Sequence, residues 1–325
     1  MKLTVHRESW PLAKTFSISR GQKQNADVVI CSLRENNIGG RGECVPYPRY
    51  GESVERTIQT IKNIQPHIES GLDFNKLQSL LPAGAARNAV DCALWDLRAK
   101  QAKKPAYELA NIAIPKTVKT AYTISLDTPK NMGKEALINS HRPLLKLKLD
   151  GNRDLERVAA VREHAPSSLL IVDANEGWHE KDVLPMATKL AHLGVALLEQ
   201  PLPAGKDKIL ENIVHPVPFC ADESCHTSDN LDQLVGRYDC LNIKLDKTGG
   251  LTEALLLLER AQEYRLDIMV GCMVSTSLSI APATLLTTSA KYVDLDGPLL
   301  LKKDRPDGLY YENSILFPNF NNVWG

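Results

Sequence analysis

The sequence predicts an α/β fold in which a (β/α) barrel follows a smaller α+β domain. Three observations carry this. Strand-like runs come first and helices second up to about residue 104. From about residue 117, strand-like and amphipathic helical segments alternate. Acidic and basic residues then recur at the ends of successive strands, spaced by one strand and one helix.

Two short β-rich runs, near Leu3–Val5 and Val28–Leu33, open the chain, and Glu35-Asn36-Asn37 turns it toward a strand ending near Glu43. Ser53 is placed as the N-cap of a helix over Val54–Ile68. A second helix over Ala85–Lys104 carries Val90, Ala93, Leu94 and Leu97 on one face. Barrel strands are expected at Lys119–Ile124, Leu144–Leu149, Leu169–Val172, Ala196–Leu198, Phe219–Ala221, Cys240–Lys244, Asp267–Val270 and Tyr292–Leu295. The expected divisions are 1–115 for the first domain, 116–304 for the barrel, and 305–325 for a tail packing back on the first domain. The alternative is an open doubly wound sheet, and the lack of a GxGxxG after an early strand counts against it.

The 325 residues give ample material for a core, and 39 basic residues cancel 39 acidic ones. No basic excess points to nucleic acid or an anionic membrane. The opening MKLTVHRESWPLAK lacks the apolar run of a signal peptide, and no apolar stretch is long enough to span a bilayer. The seven cysteines are scattered without zinc spacing. A cytoplasmic protein acting on a small molecule is the expectation, and the sequence leaves a homo-oligomer open.

Asp173 closes LLIVD, Glu199 closes ALLE, Asp222 follows PFCA, and Lys244 sits in CLNIKLD. The steps from 173 to 199, 222 and 244 span 26, 23 and 22 residues, each about one strand-plus-helix unit. All four therefore fall at the C-terminal ends of successive barrel strands, where barrel active sites lie. Three carboxylates converging there repel one another unless a hard cation such as Mg²⁺ joins them. Taken singly, each is equally well a helix cap or surface ion-pair member. Lys146 and Lys148, in LLKLKLD, are two apart on one strand and so both face the barrel interior. Buried ammonium groups are costly there without anions to meet them.

KLKLD, IVDAN, LLEQPLP, CADES and NIKLDKTGG together resemble the enolase superfamily, in its muconate-lactonizing subgroup. GECVPYPRYGES and ARNAVDCALWDL extend the resemblance into the first domain, over nearly the whole chain. The resemblance implies an enolase-type (β/α)7β barrel, a modified TIM barrel, with an α+β capping domain. It implies that Asp173, Glu199 and Asp222 bind Mg²⁺, that Lys148 and Lys244 are acid/base catalysts, and that Lys146 helps hold a substrate carboxylate. Asp294 and Asp296, in YVDLDGP, match a pair that holds the N-terminal ammonium of a dipeptide in the dipeptide epimerases of this superfamily. Read alone, they are also ordinary strand-end turn residues. Arg20, in FSISRG, matches an arginine facing an acidic substrate side chain, and a surface arginine beside a glycine turn is its alternative. Thr123 and the Cys272-Met273-Val274 segment match substrate-contacting positions more loosely, and Tyr47, Arg49 and Tyr50 belong to a lid or a fixed turn. Asp246 either pairs with a catalytic lysine or caps its strand. Competing readings are an N-acylamino acid racemase, an o-succinylbenzoate synthase, a cycloisomerase, or a silent scaffold of the same fold. Retention of both lysines and all three acids counts against the last.

Overall fold

The computed structural model describes residues 1–318 and 323–325; residues 319–322, within the predicted tail, lie outside the described residues. Strands β1 (Lys2–Ile18) and β2 (Gly21–Glu35) form an antiparallel hairpin, and β3 (Ile38–Cys44) joins β2. Asn36 and Asn37, both at left-handed φ (48° and 65°), make the tight turn between β2 and β3. The hairpin is far longer than the two predicted runs. Its distal half is largely exposed; β2 is polar there, and on β1 Pro11 and Lys14 interrupt the alternation of Trp10, Leu12, Phe16 and Ile18.

Four helices follow: α1 (Val54–Asn63), α2 (Gln65–Glu69), α3 (Phe74–Leu80) and α4 (Ala85–Ala102). The Ser53 side chain caps α1 by accepting from the Arg56 amide at 3.2 Å. The helix predicted over Val54–Ile68 is in fact two. It breaks at Ile64, because Pro66 has no amide hydrogen and restricts the residue before it, and so starts a helix rather than continuing one. Helix α4 lies directly on β3. A Cβ at Gly42 would sit 2.1 Å from the Ala89 carbonyl oxygen, and one at Gly40 would sit 2.3 Å from that of Ala93. The two glycines thus permit backbone-to-backbone packing.

After α5 (Ala106–Leu109) the chain enters β4 (Val118–Lys119) and β5 (Tyr122–Ile124). The single strand expected over Lys119–Ile124 is divided between two sheets. It continues through α6 (Pro129–Ile138), β6 (Leu144–Lys148), α7 (Asp154–His164), β7 (Leu169–Asp173), α8 (Glu180–His192), β8 (Val195–Glu199), β9 (Phe219–Ala221) and β10 (Cys240–Ile243). Then come α9 (Leu245–Thr248), α10 (Leu251–Glu263), β11 (Asp267–Gly271), α11 (Ser277–Ala283), β12 (Tyr292–Asp294), β13 (Tyr310–Glu312) and β14 (Ile315–Phe317). Strands β5 to β12 lie side by side in sequence order, all parallel. The Ala121 amide donates to the Val293 carbonyl at 2.8 Å and ties the first strand to the last. The crossovers after β8 and β9 carry only 3-10 turns, at Lys208–Asn212 and Ser228–Gln233. The fold is a modified TIM barrel with an N-terminal capping domain. Strand β4 pairs instead with β14, which pairs with β13.

The last residues return to α4. Trp324 Nε1 donates to the Cys92 carbonyl at 2.9 Å, and the Gly325 amide to Asp96 at 2.8 Å. Among the described residues no helix is long and apolar enough to cross a membrane.

Candidate active site

The barrel interior is layered. Its floor takes one apolar residue from each strand: Ala121, Leu144, Ile171, Leu197, Cys220, Cys240, Met269 and Tyr292. Stepping two residues along six of these strands reaches a polar layer, Lys146, Asp173, Glu199, Asp222, Asn242 and Asp294; the same step gives Thr123 on the first strand and Gly271 on the seventh. Lys148 and Lys244 stand one step higher still, on β6 and just past β10. These two strands are four apart in an eight-stranded ring, so the lysines face each other across the barrel. Odd-numbered neighbours on β6, Leu145 and Leu147, point outward into the helix layer.

Carboxylate oxygens of Asp173, Glu199 and Asp222 lie within 4.8 Å of one another, all buried, the sole such cluster of possible metal-holding groups among the described residues. Ammonium groups surround them. Lys146 Nζ lies 2.6 Å from Glu199, 2.8 Å from Asp294 and 3.5 Å from Asp173. Lys148 contacts Asp173 at 2.6 Å, and Lys244 contacts Asp222 at 2.7 Å. Burial alone would push Asp173 and Asp222 up, but the lysines outweigh it and hold both below the usual carboxylate range. Glu199 goes the other way. Burial and the adjacent Asp173 charge outweigh Lys146 and raise it. Burial would lower Lys146 and Lys244, but the surrounding carboxylates raise both well above the ordinary lysine value.

The residues fit a metal ion. Glu199 Oε2 and Asp222 Oδ1 are buried and accept no hydrogen bond, although ammonium nitrogens stand 2.6 and 2.7 Å away at angles unsuited to one. The donor set is oxygen only, which suits a hard cation such as Mg²⁺. Asn242 donates to Glu199 Oε1 at 2.7 Å and leaves Oε2 without a hydrogen-bond donor.

Above this layer the capping hairpin and the barrel loops enclose a cavity of about 380 Å³. Arg20, Lys148, Asp222, Lys244, Cys272 and Val274 all line it, so six predicted site residues meet there. Tyr47, Arg49 and Tyr50 form its rim on a short 3-10 turn. Arg49 grips Glu176 of the barrel through two 2.8 Å hydrogen bonds. Asp173, Glu199, Lys146, Asp294 and Asp296 lie beneath the wall rather than on it. Asp296 accepts the Thr123 amide at 2.6 Å, and burial with Asp294 pushes its carboxyl up to about 7. Asp294 Oδ1 is buried with no hydrogen-bond partner. Thr123 borders a neighbouring groove on the other side of the hairpin, not this cavity.

Asp246 does not pair with a lysine. It accepts the Val45 amide at 2.9 Å and the Asn88 side chain at 2.8 Å, both from the capping domain. Burial pushes its carboxyl up to about 7. Four groups escaped the sequence reading. Lys247 places its ammonium 2.7 Å from Asp222 and donates to the Asn242 carbonyl at 2.9 Å. Its signal was a second lysine three residues past Lys244, on the same side of one helical turn. Asn242 was readable by strand parity, two residues before Lys244. Gln200, at φ 37°, accepts the amides of Asp222 and Ser224 at 2.9 and 3.1 Å and so fixes the end of β9. Glu223 pairs with Arg20 at 2.6 Å, and nothing in the sequence foretold that partnership.

Residues 1–110 match the mandelate racemase/muconate lactonizing enzyme N-terminal domain, and residues 133–307 match the enolase C-terminal domain-like family. The chain belongs to the enolase superfamily. Within it, the chain is 48% identical to L-Ala-D/L-Glu epimerase of Escherichia coli over 314 residues, covering 96% of this chain and 98% of that one. It is 46% identical to N-acetyl-D-glutamate racemase of a Pseudoalteromonas species, over 92% and 95% of the two chains. An enolase family member from Agrobacterium tumefaciens, solved with sodium and L-Ala-L-Glu, superposes with a TM-score of 0.97 at 48% identity, covering 99% of each chain. A dipeptide epimerase from Enterococcus faecalis, solved with Mg and L-Leu-L-Tyr, gives 0.90 at 28% identity, over 99% and 98%.

Proposed function

We propose that this chain is a magnesium-dependent dipeptide epimerase. It inverts the α-carbon of the C-terminal residue, with L-Ala-D/L-Glu as its substrate pair. The observation that carries the reading is the pair Lys148 and Lys244, opposed across one cavity above a buried triad of metal-type carboxylates. Asp173, Glu199 and Asp222 would hold Mg²⁺, which stabilises negative charge as the α-proton leaves a carboxylate anion.

The protein's own groups do the rest. A base must be neutral to accept a proton, and Lys244 is held protonated by its carboxylate partner. A cation held by Asp222 would weaken that pairing and so lower the affinity of Lys244 for its proton. One lysine takes the α-proton from one face, and the other returns a proton to the opposite face, inverting the centre. Lys146 helps hold the substrate carboxylate. Asp294 and Asp296 bind the N-terminal ammonium. The unpartnered Asp294 Oδ1 and the raised Asp296 carboxyl both gain from a cation beside them. Arg20 stands in the cavity wall beside the place of an acidic side chain, Cys272 and Val274 shape the remaining contacts, and Thr123 acts through its amide on Asp296. All seven cysteines are free, in keeping with a cytoplasmic setting. Salvage of cell-wall peptides is the role that an L-Ala-D/L-Glu substrate pair suggests.

The 46% identity to an N-acetyl-D-glutamate racemase favours a second reading, racemisation of N-acylated glutamate. One experiment separates them. The protein is incubated with L-Ala-L-Glu, N-acetyl-L-Ala-L-Glu or N-acetyl-L-glutamate, with Mg²⁺ in D₂O, and α-deuterium is read by mass spectrometry. The dipeptide reading expects label in the C-terminal residue of the free dipeptide first. Faster labelling of either N-acetylated compound sinks it in favour of the racemase.

A further inference from the structure

Arg20 is fully committed within the protein. Its Nε and Nη2 donate to the Tyr47 hydroxyl at 3.3 and 3.1 Å. Nη1 donates to the Asn175 carbonyl at 3.1 Å and to Glu176 at 3.2 Å, and Nη2 to Glu223 at 2.6 Å. A guanidinium has five N–H donors, so none is spare. Arg20 and Arg49 together face Glu176 and Glu223. With every donor engaged, Arg20 keeps no free N–H for an anionic side chain.

Three residues further on, the balance differs. Lys23 lies on β2 opposite Phe16 and lines the same cavity. Among the described residues its side chain makes no ion pair and no hydrogen bond. Its ammonium instead stands 5.5 Å over the Tyr47 ring. The nearest acid acting on it, Asp27, is paired with Arg7 at 2.9 Å. Desolvation draws the Lys23 pKa below the ordinary lysine value, so an anionic ligand would relieve it.

We infer that Lys23 is a specificity-determining residue whose ammonium takes the side-chain carboxylate of the substrate's C-terminal residue. Arg20 then serves as a hydrogen-bonding wall, and Lys23 supplies the uncompensated charge. This rests on the dipeptide reading above. The cavity wall desolvates the Lys23 ammonium only in part and the residue as a whole stays exposed, so the effect is smaller than that of a buried pair and weakens with salt.

The test compares kcat/KM for L-Ala-L-Glu and its neutral isostere L-Ala-L-Gln, by α-deuterium exchange, in wild type, Lys23→Met, Lys23→Arg and Arg20→Met. Lys23→Met should lower the Glu-to-Gln ratio about tenfold, and Lys23→Arg should restore most of it. Added salt should erode the wild-type ratio more than that of Lys23→Met. An unchanged ratio in Lys23→Met, or an equal fall for both substrates, overturns the assignment. Wild type that exchanges neither compound overturns the parent reading, and the Lys23 role falls with it.

Discussion

Four carboxylates, Asp173, Glu199, Asp222 and Asp294, meet four ammonium groups, Lys146, Lys148, Lys244 and Lys247, at the top of the barrel interior. Changing Lys148 or Lys244 to alanine should lower epimerisation by about 10³-fold, within the usual range for losing an acid/base group. Each variant should still exchange the α-proton of one stereoisomer, because one face keeps its base. Polarimetry alongside deuterium exchange distinguishes the two, and full epimerisation in either variant refutes a two-base route. For the ammonium pocket, Asp296→Asn should lower kcat/KM for L-Ala-L-Glu by roughly 30-fold, equivalent to about 2 kcal/mol. The loss should shrink for the N-acetylated dipeptide, which has no ammonium. Equal losses on both would mean that Asp296 acts only through its bond to the Thr123 amide.

Strand β3 and helix α4 pack backbone against backbone. Their backbones approach so closely that a methyl group at Gly42 would overlap the Ala89 carbonyl and the Ala93 amide, neither of which can rotate away. Gly42→Ala should therefore destabilise the chain by about 1–3 kcal/mol, read as a lower urea midpoint. Gly39→Ala is the control. A Cβ there meets nothing closer than 3.9 Å, and a loss as large as that at Gly42 would show strand propensity, not overlap, to be the cause. The same α4 also docks the loop after β10. Arg87 donates to the Thr248 carbonyl at 2.6 Å, and Asp91 accepts the Thr252 amide at 3.0 Å. Gly250, at φ 115°, leaves space where a side chain would strike Asp91.

Across the whole molecule, buried acids join the capping domain to the barrel. Glu43 on β3 accepts the Thr276 amide at 2.8 Å and Arg305 at 2.9 Å, pinning the segment that carries Cys272 and Val274. Asp246, two residues past Lys244, holds Val45 and Asn88 of the cap. Its folded pKa of about 7 lies above the ordinary aspartate value, raised by burial first and then by Glu52 and Glu43. The folded chain therefore binds an extra proton between about pH 4 and 7. Stability from this group is full below about pH 4 and is lost as pH rises through 7. Asp246→Asn keeps an oxygen for both donors and removes the titration. Urea unfolding from pH 5 to 7, at fixed magnesium, should show a flatter stability slope in the variant, by up to about 1.4 kcal/mol per pH unit. Parallel slopes would mean that Asp246 is ionised throughout.

The barrel and its chemistry were legible because they repeat. A strand fixes side-chain direction every second residue, and a strand-plus-helix unit fixes the interval between strand ends. Asp173, Glu199, Asp222, Lys146, Lys148 and Lys244 could thus be placed on one face from spacing alone. Local chemistry also spoke for itself at the Ser53 cap and the Asn36-Asn37 turn. What the sequence did not reveal depends on partners distant along the chain. The hairpin's outer half covers a cavity, so β2 is polar there and the apolar alternation of β1 is broken at Pro11 and Lys14, and the strand expected over Lys119–Ile124 divides because β14 claims its first half. Whether Asp246 faces a lysine or the cap, and whether Arg20 is free or bound to Glu223, turn on contacts across 201 and 203 residues. Side-chain parity gives a direction, but only tertiary packing decides which group waits at the other end.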